Sequence, residues 1–205
     1  MAHQLHIAYS GKPLEQAQKA LIMLHGRGAD AESILSLSRL LHVEGYALLA
    51  PQATNHTWYP HSFMAPVIEN EPWLSSALNI VEQTLGTVLE AGIKTEHVYF
   101  LGFSQGACLT LEFTTRNARK YGGIVAFTGG LIGEQIEREN YKGNFEQTPV
   151  FLGTSNPDFH VPVERVYASA NILREMNASV TEKVYANRGH IISEDEIEQV
   201  NRIIL

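Results

Sequence analysis

Apolar runs of strand length alternate along this chain with stretches whose apolar residues recur every three or four positions. QLHIAY reads as a short first strand ending at Ser10-Gly11. ALIMLHG is almost continuously apolar, as expected of a strand covered on both faces. In AESILSLSRLLH, Ile34, Leu37, Leu40 and Leu41 fall at helical spacing, and GYALLAP is a strand stopped by Pro51. Ala77, Leu78, Val81, Leu85, Val88 and Leu89 form one helical stripe closed by Gly92. HVYFLG predicts a strand, QGACLTLEFTTRNA a helix, and GGIVAFTGG and TPVFLGTS two more buried strands. VPVERVYASANILREM is a helix with Pro162 near its start, and SVTEKVYA is the last strand. In SEDEIEQVNRIIL, Ser193 and Glu196 match a capping box, and the acidic first turn suits the helix dipole.

This alternation, with no internal repeat, low-complexity tract or linker, predicts a mostly parallel sheet with helices on both faces. The whole chain, 1–205, reads as one domain. In such sheets the reactive residues gather on loops at the carboxyl ends of the strands.

One junction of this kind is Gly102-Phe103-Ser104-Gln105-Gly106, between the strand HVYFLG and the helix that follows. Small residues two before and two after the serine let strand and helix backbones pass closely. The hydroxyl is then lifted above the sheet, beside a helix N-terminus that favours developing negative charge. The plainer alternative is a glycine-bounded turn with a capping serine.

A serine nucleophile needs a base, and the base an orienting acid, in the chain order Ser, acid, His for this topology. Aspartate occurs only at Asp30, Asp158 and Asp195, and only Asp158 follows the serine and precedes a later histidine. His190, in NRGHIIS after the last strand, is the expected general base, with Gly189 freeing the backbone beside it. His160 shares the acid's loop and is expected to line the site or to pack within that loop. The two backbone donors for a tetrahedral oxyanion are expected from Gln105 and Arg27, Gln105 serving through its N–H rather than its amide. The Arg27 side chain is read as a substrate contact or a salt-bridge partner, and His25 as a loop brace.

Composition narrows the partners. Hydrophobic residues make up 44% of the 205 positions and charged residues 18%, so a substantial core is available. The formal net charge of −7 disfavours nucleic acid and anionic lipid surfaces. No basic amphipathic helix is evident, so no stable membrane association is expected. The start lacks a secretory pattern and a membrane-length apolar run is absent, which reads as a cytoplasmic protein. Cys108 is the single cysteine and is expected in the core. The histidines show no metal-ligand spacing and no nucleotide-binding glycine pattern occurs, so neither metal nor cofactor is expected.

LHGRGADAESIL, APQATNHTWYPHSF, NEPWLSSAL, LGFSQGACLTLEF, QTPVFLGTSNPDFHVP and NRGHIISEDEI, in this order, resemble the phospholipase/carboxylesterase family of α/β-hydrolases. That family includes acyl-protein thioesterases. The resemblance implies hydrolysis of carboxylic esters or thioesters without a cofactor, with a triad on Ser104, Asp158 and His190. Arg27 after His25-Gly26, and Asn156-Pro157 ahead of Asp158, look more like a bacterial carboxylesterase branch than a protein-depalmitoylating enzyme.

The short segment between GGIVAFTGG and TPVFLG is too small for a cap domain, so an open site is expected. Its apolar acyl or aryl pocket is expected from two segments. QATNHTWYPHSFMAPVIENEPW carries Trp58, Tyr59, Phe63, Met64 and Trp73, and GGLIGEQ carries Leu131 and Ile132. The expected partner is a small-molecule ester. Exposed aromatics near the site leave room for a homodimer. A lactone hydrolase or peptidase, or a binding protein that keeps only the shell, are the rival readings.

Overall fold

The strand-like runs pair into one seven-stranded sheet in the order β1-β3-β2-β4-β5-β6-β7. The computed structural model describes residues 3–205. The strands are β1 (Ile7–Gly11), β2 (Lys19–Leu24), β3 (Tyr46–Pro51), β4 (Val98–Phe103), β5 (Gly123–Phe127), β6 (Pro149–Asn156) and β7 (Ser179–Ala186). Only β1 runs antiparallel, against β3; every other pairing is parallel. The helices are α1 (Ala31–Ser36), α2 (Trp73–Glu90), α3 (Gln105–Arg116), α4 (Val163–Glu175) and α5 (Glu194–Ile203).

Alternation along the central strands sorts the core into two layers. Ala20, Ile22 and Leu24 of β2 face α2, α3 and α4, whereas Leu21 and Met23 face α1 and α5. β4 divides in the same way, Val98 and Phe100 from Tyr99 and Leu101. Continuous apolarity in these runs is therefore a two-faced burial, since side chains alternate with a period of two.

Two elements differ from the reading of the sequence. The first strand starts at Ile7 and continues through Gly11, because its limits follow the partner strand: Ile7 pairs with Pro51 and Gly11 with Ala47. The first helix ends at Ser36 and tightens into a 3-10 turn over Leu37–Leu40. That tighter winding turns Leu40 to solvent at 60% exposure, while Leu41 returns to the core. Asp30 caps α1 in a capping box with Ser33, and the box at Ser193 and Glu196 opens α5 as expected.

Between β5 and β6 the only regular element is a 3-10 turn at Arg138–Asn140, so no helical cap lies over the sheet edge. Among the described residues, no helix is long and apolar enough to cross a membrane.

The crossing of β4 and α3 depends on two glycines. A Cβ on Gly102 would lie 2.3 Å from the Gly106 carbonyl oxygen, and one on Gly106 would lie 2.1 Å from the Leu24 carbonyl oxygen. Gly106→Ala is expected to destabilise the fold by about 2–3 kcal/mol, because backbone must move to admit one methyl. Gly86, inside α2, has open space around its missing Cβ. Gly86→Ala is expected to stabilise by about 0.5–1 kcal/mol. Thermal midpoints of the two variants, moving in opposite directions, check both statements.

Candidate active site

Ser104 joins β4 to α3 with φ 55° and ψ −119°, a left-handed backbone that a residue with a Cβ rarely adopts. Hydrogen bonds on either side hold it there. Its N–H donates to the Phe127 carbonyl at 2.9 Å, and its carbonyl accepts from the Cys108 N–H at 3.0 Å. The hydroxyl makes no capping bond to α3, so the capping-serine alternative does not describe it.

Instead Ser104 Oγ lies 2.7 Å from His190 Nε2, and His190 Nδ1 lies 2.8 Å from Asp158 Oδ2. An ionised carboxylate only accepts, so Nδ1 carries the ring proton and Nε2 is left to accept from the serine O–H. Asp158 comes from the loop after β6, and its side chain is fully buried. Burial pushes its pKa up, but N–H donors from His160 (2.7 Å) and Val161 (2.9 Å), together with His190, outweigh it. The carboxyl is held below its usual value.

The imidazole has its own supports. Its ring packs against Phe103 and, edge to face, against His160, at centroid distances of 5.3 and 4.9 Å. Ser155 Oγ, at the end of β6, accepts from the N–H groups of Arg188 (2.9 Å) and Gly189 (3.1 Å) and so fixes the loop that carries His190. Reasoning from the sequence overlooked Ser155. Its place one residue before the Asn-Pro-Asp turn was the available signal.

The two expected backbone donors both adjoin Ser104. Gln105 is the first residue of α3, and a Cβ built on Gly26, next to Arg27, would lie 3.5 Å from Ser104 Cβ. Among the described residues, neither the Arg27 nor the Gln105 N–H has a hydrogen-bond partner. Unpaired N–H groups at the start of a helix suit an anionic oxygen.

The side chains of these two residues do more than the sequence suggested. The Gln105 amide is held at both ends: Nε2 donates to the Tyr59 carbonyl (2.8 Å), and Oε1 accepts from the Trp58 N–H (2.9 Å), with Thr57 Oγ1 3.3 Å away. Arg27 makes no salt bridge among the described residues. Its guanidinium donates to Thr57 Oγ1 (2.9 Å) and to the carbonyls of Tyr59 (2.9 Å), Pro60 (3.0 Å) and His61 (2.7 Å). His25 is the expected brace: Nδ1 donates to the Gly26 carbonyl (2.8 Å) and Nε2 accepts from the Ala53 N–H (3.1 Å). Burial lowers the His25 pKa, in keeping with a neutral ring.

An open cavity of about 670 Å³ lies over Ser104. Of the seven residues expected to shape it, Tyr59 and Phe63 line it. Trp58 is wholly buried beneath, its indole N–H on the His25 carbonyl at 2.9 Å. Leu131 and Ile132 are core residues, tied through their N–H groups to Ser169 and Glu112. Met64 and Trp73 are half-buried against the core and lie off the lining. The remaining wall mixes polar groups, His61, Ser62, Arg27 and His160, with Ala29, Pro60, Phe103, Cys108 and Val161. Buried Asn70 shapes this stretch, accepting from the His61 N–H and donating to the Ser62 carbonyl, both at 2.9 Å. Burial pushes the Cys108 thiol up to about 12, so it faces the cavity as a neutral group. No group of three or more His, Cys, Asp or Glu residues among the described residues converges to hold a metal ion.

The lowered Asp158 pKa has a consequence for stability. A carboxylate depressed in the folded state contributes stability above its unfolded value near pH 4, and loses it as pH falls through the folded value. Thermal midpoints of the wild type and Asp158→Asn, followed from neutral to acid pH, are therefore expected to differ most at neutral pH and to converge on acidification. A constant difference across that range would contradict the stabilised carboxylate.

Comparison with known proteins places the chain in a family. The chain is 57% identical to a phospholipase/carboxylesterase from Dyadobacter fermentans, whose crystal structure superposes with a TM-score of 0.99, covering 100% of this chain and 98% of that one. It is 27% identical to acyl-protein thioesterase 1 of Saccharomyces cerevisiae, covering 93% of each chain. A carboxylesterase of Bacillus cereus shares the fold at a TM-score of 0.78 and 18% identity, covering 97% of this chain and 92% of that one. The family model described as Phospholipase/Carboxylesterase matches residues 7–204, and the chain belongs to that family.

Proposed function

We propose that the chain is a serine hydrolase that cleaves carboxylic esters, thioesters included, of small or medium acyl or aryl groups through an acyl-enzyme on Ser104. The observation that carries this reading is the unbroken relay from Ser104 Oγ through His190 to Asp158, at 2.7 and 2.8 Å, starting from a serine with left-handed backbone.

His190 Nε2 takes the hydroxyl proton as Ser104 Oγ attacks the acyl carbon. The negative charge that forms on the carbonyl oxygen meets the N–H groups of Arg27 and Gln105. The imidazolium then gives its proton to the departing alcohol or thiol, and the acyl group remains on Ser104. Water enters through the open side, loses a proton to His190 and releases the acid. Asp158 stays ionised throughout. It holds the ring tautomer and stabilises the imidazolium, and its lowered pKa suits that role.

The names of the relatives, a thioesterase and carboxylesterases, support the choice of an acyl carbon as target. The short, uncapped cavity lined by Tyr59 and Phe63 favours acyl groups that fit within it over long chains.

Ser104→Ala is expected to lower turnover of p-nitrophenyl acetate by about 10⁵- to 10⁶-fold with an unchanged circular dichroism spectrum. Asp158→Asn is expected to lower kcat by about 10⁴-fold, since the ring tautomer is then wrong. Wild-type turnover in Ser104→Ala would falsify the reading. A series of p-nitrophenyl esters and matched thioesters, from two to twelve acyl carbons, is expected to peak at short or medium length. A rate still rising at twelve carbons would overturn the assignment of the acyl pocket.

A further inference from the structure

The two N–H groups placed at the oxyanion come from separate elements, each lying beyond the last register pair of β2 and β4, Leu24 with Gly102, where the sheet no longer sets the distance between them. Arg27 stands between Gly26 and Gly28, in a loop whose Gly28 N–H donates to the His56 carbonyl at 2.7 Å, so its backbone is tied to the residue just before Thr57. Gln105, by contrast, is fixed at the head of α3.

Their side chains meet on one short segment, Thr57 to His61. Arg27 Nη2 and Gln105 Nε2 donate to the same acceptor, the Tyr59 carbonyl, at 2.9 and 2.8 Å. They also share Thr57 Oγ1, which accepts from Arg27 Nη1 at 2.9 Å and whose one proton lies within reach of both the Tyr59 carbonyl (3.2 Å) and Gln105 Oε1 (3.3 Å). All four terminal N–H groups of the guanidinium are used on this segment, including those on the Pro60 and His61 carbonyls. None of these four is left for a substrate carboxylate.

We propose that the Arg27 and Gln105 side chains act as one positioning clamp, with the Tyr59 carbonyl as its pivot, that sets the spacing of their own backbone N–H groups around the oxyanion. This rests on the serine-hydrolase reading above. Three carbonyl oxygens converge on a single cation, and without that cation their dipoles repel. The segment then relaxes, and the Arg27 backbone, tied to it through the Gly28 N–H on the His56 carbonyl, shifts with it. Asn70 anchors His61 and Ser62 from below without using Arg27, so loss of the clamp loosens the segment and leaves the loop in place.

A merely structural staple on the pocket wall would act on substrate binding, whereas a clamp on the oxyanion donors acts on the transition state. Arg27→Met, which keeps the stem and removes every donor, is therefore expected to lower kcat on p-nitrophenyl acetate by about 10- to 100-fold, the scale of a donor displaced but not deleted. KM is expected to change by less than about threefold. Gln105→Met is expected to show the same split. Affinity for a trifluoromethyl ketone, whose adduct places an oxyanion between the two N–H groups, is expected to fall in parallel with kcat. Because the two side chains share one acceptor, the double variant is expected to be little worse than the poorer single variant.

Arg27→Lys keeps the charge but cannot reach four oxygens. It is expected to recover part of kcat, and it gives the same readout if the methionine variant does not fold. A raised KM with unchanged kcat, or losses that multiply in the double variant, would overturn the clamp. Wild-type kcat in Arg27→Met beside an inactive Ser104→Ala overturns the clamp alone, whereas an active Ser104→Ala removes the reading beneath it.

Discussion

The close passage of β4 and α3 at Ser104 is the constraint on which the site depends. Carbonyl oxygens of Leu24 and Gly106 occupy the space where side chains of Gly106 and Gly102 would stand. That contact forces the chain to turn within one residue, and Ser104 absorbs the turn as a left-handed backbone at a cost of about 1–3 kcal/mol. Bonds to Phe127 and Cys108 and the packed sheet around them offset that cost. What results is a hydroxyl directed away from α3 beside the unpaired N–H of the helix's first residue. The strain and the reactive geometry have one cause.

The electrostatics of the site follow from how its acid is buried. A carboxylate taken out of water would normally be driven toward its neutral form, which could not hold the imidazole tautomer. Two backbone N–H donors and the His190 ring reverse that tendency at Asp158. The loop after β6 therefore supplies both the acid and the donors that keep it charged. Ser155, just ahead of that loop, holds the segment bearing His190, so acid and base are referenced to the same strand end.

The surroundings of Ser104 mix apolar and hydrogen-bonding groups above a wholly buried apolar layer. Trp58, Leu131 and Ile132 stabilise the core beneath the loops, and the cavity wall is left to Tyr59, Phe63, Pro60, Phe103 and Val161 with hydrogen-bonding groups between them. Arginine and glutamine hold the segment from Thr57 to His61 by its carbonyls, which is possible because a guanidinium presents its donors in a rigid fork. The shape of the cavity over Ser104 thus rests in part on side-chain contacts to backbone carbonyls.

Much of this was legible in the sequence. Period-two burial, the strand-to-helix junction at Gly102 to Gly106, and the scarcity of aspartate after it are local or combinatorial signals. They brought out the order of strands and helices, the alternation of layers and the set Ser104, Asp158 and His190. The limits of the first strand, the exposure of Leu40 and the pocket walls were not legible, because each depends on a partner far along the chain. β1 starts where β3 ends and ends near where β3 starts, and an aromatic in a long loop points into the core or the cavity according to what packs beneath it. The amide of Gln105 and the guanidinium of Arg27 carry no local hint that both close on the Tyr59 carbonyl. Periodicity and residue type determined which groups were available for chemistry. The tertiary structure alone decided which of them meet, because hydrogen bonds between distant loops depend on distances that no local pattern encodes.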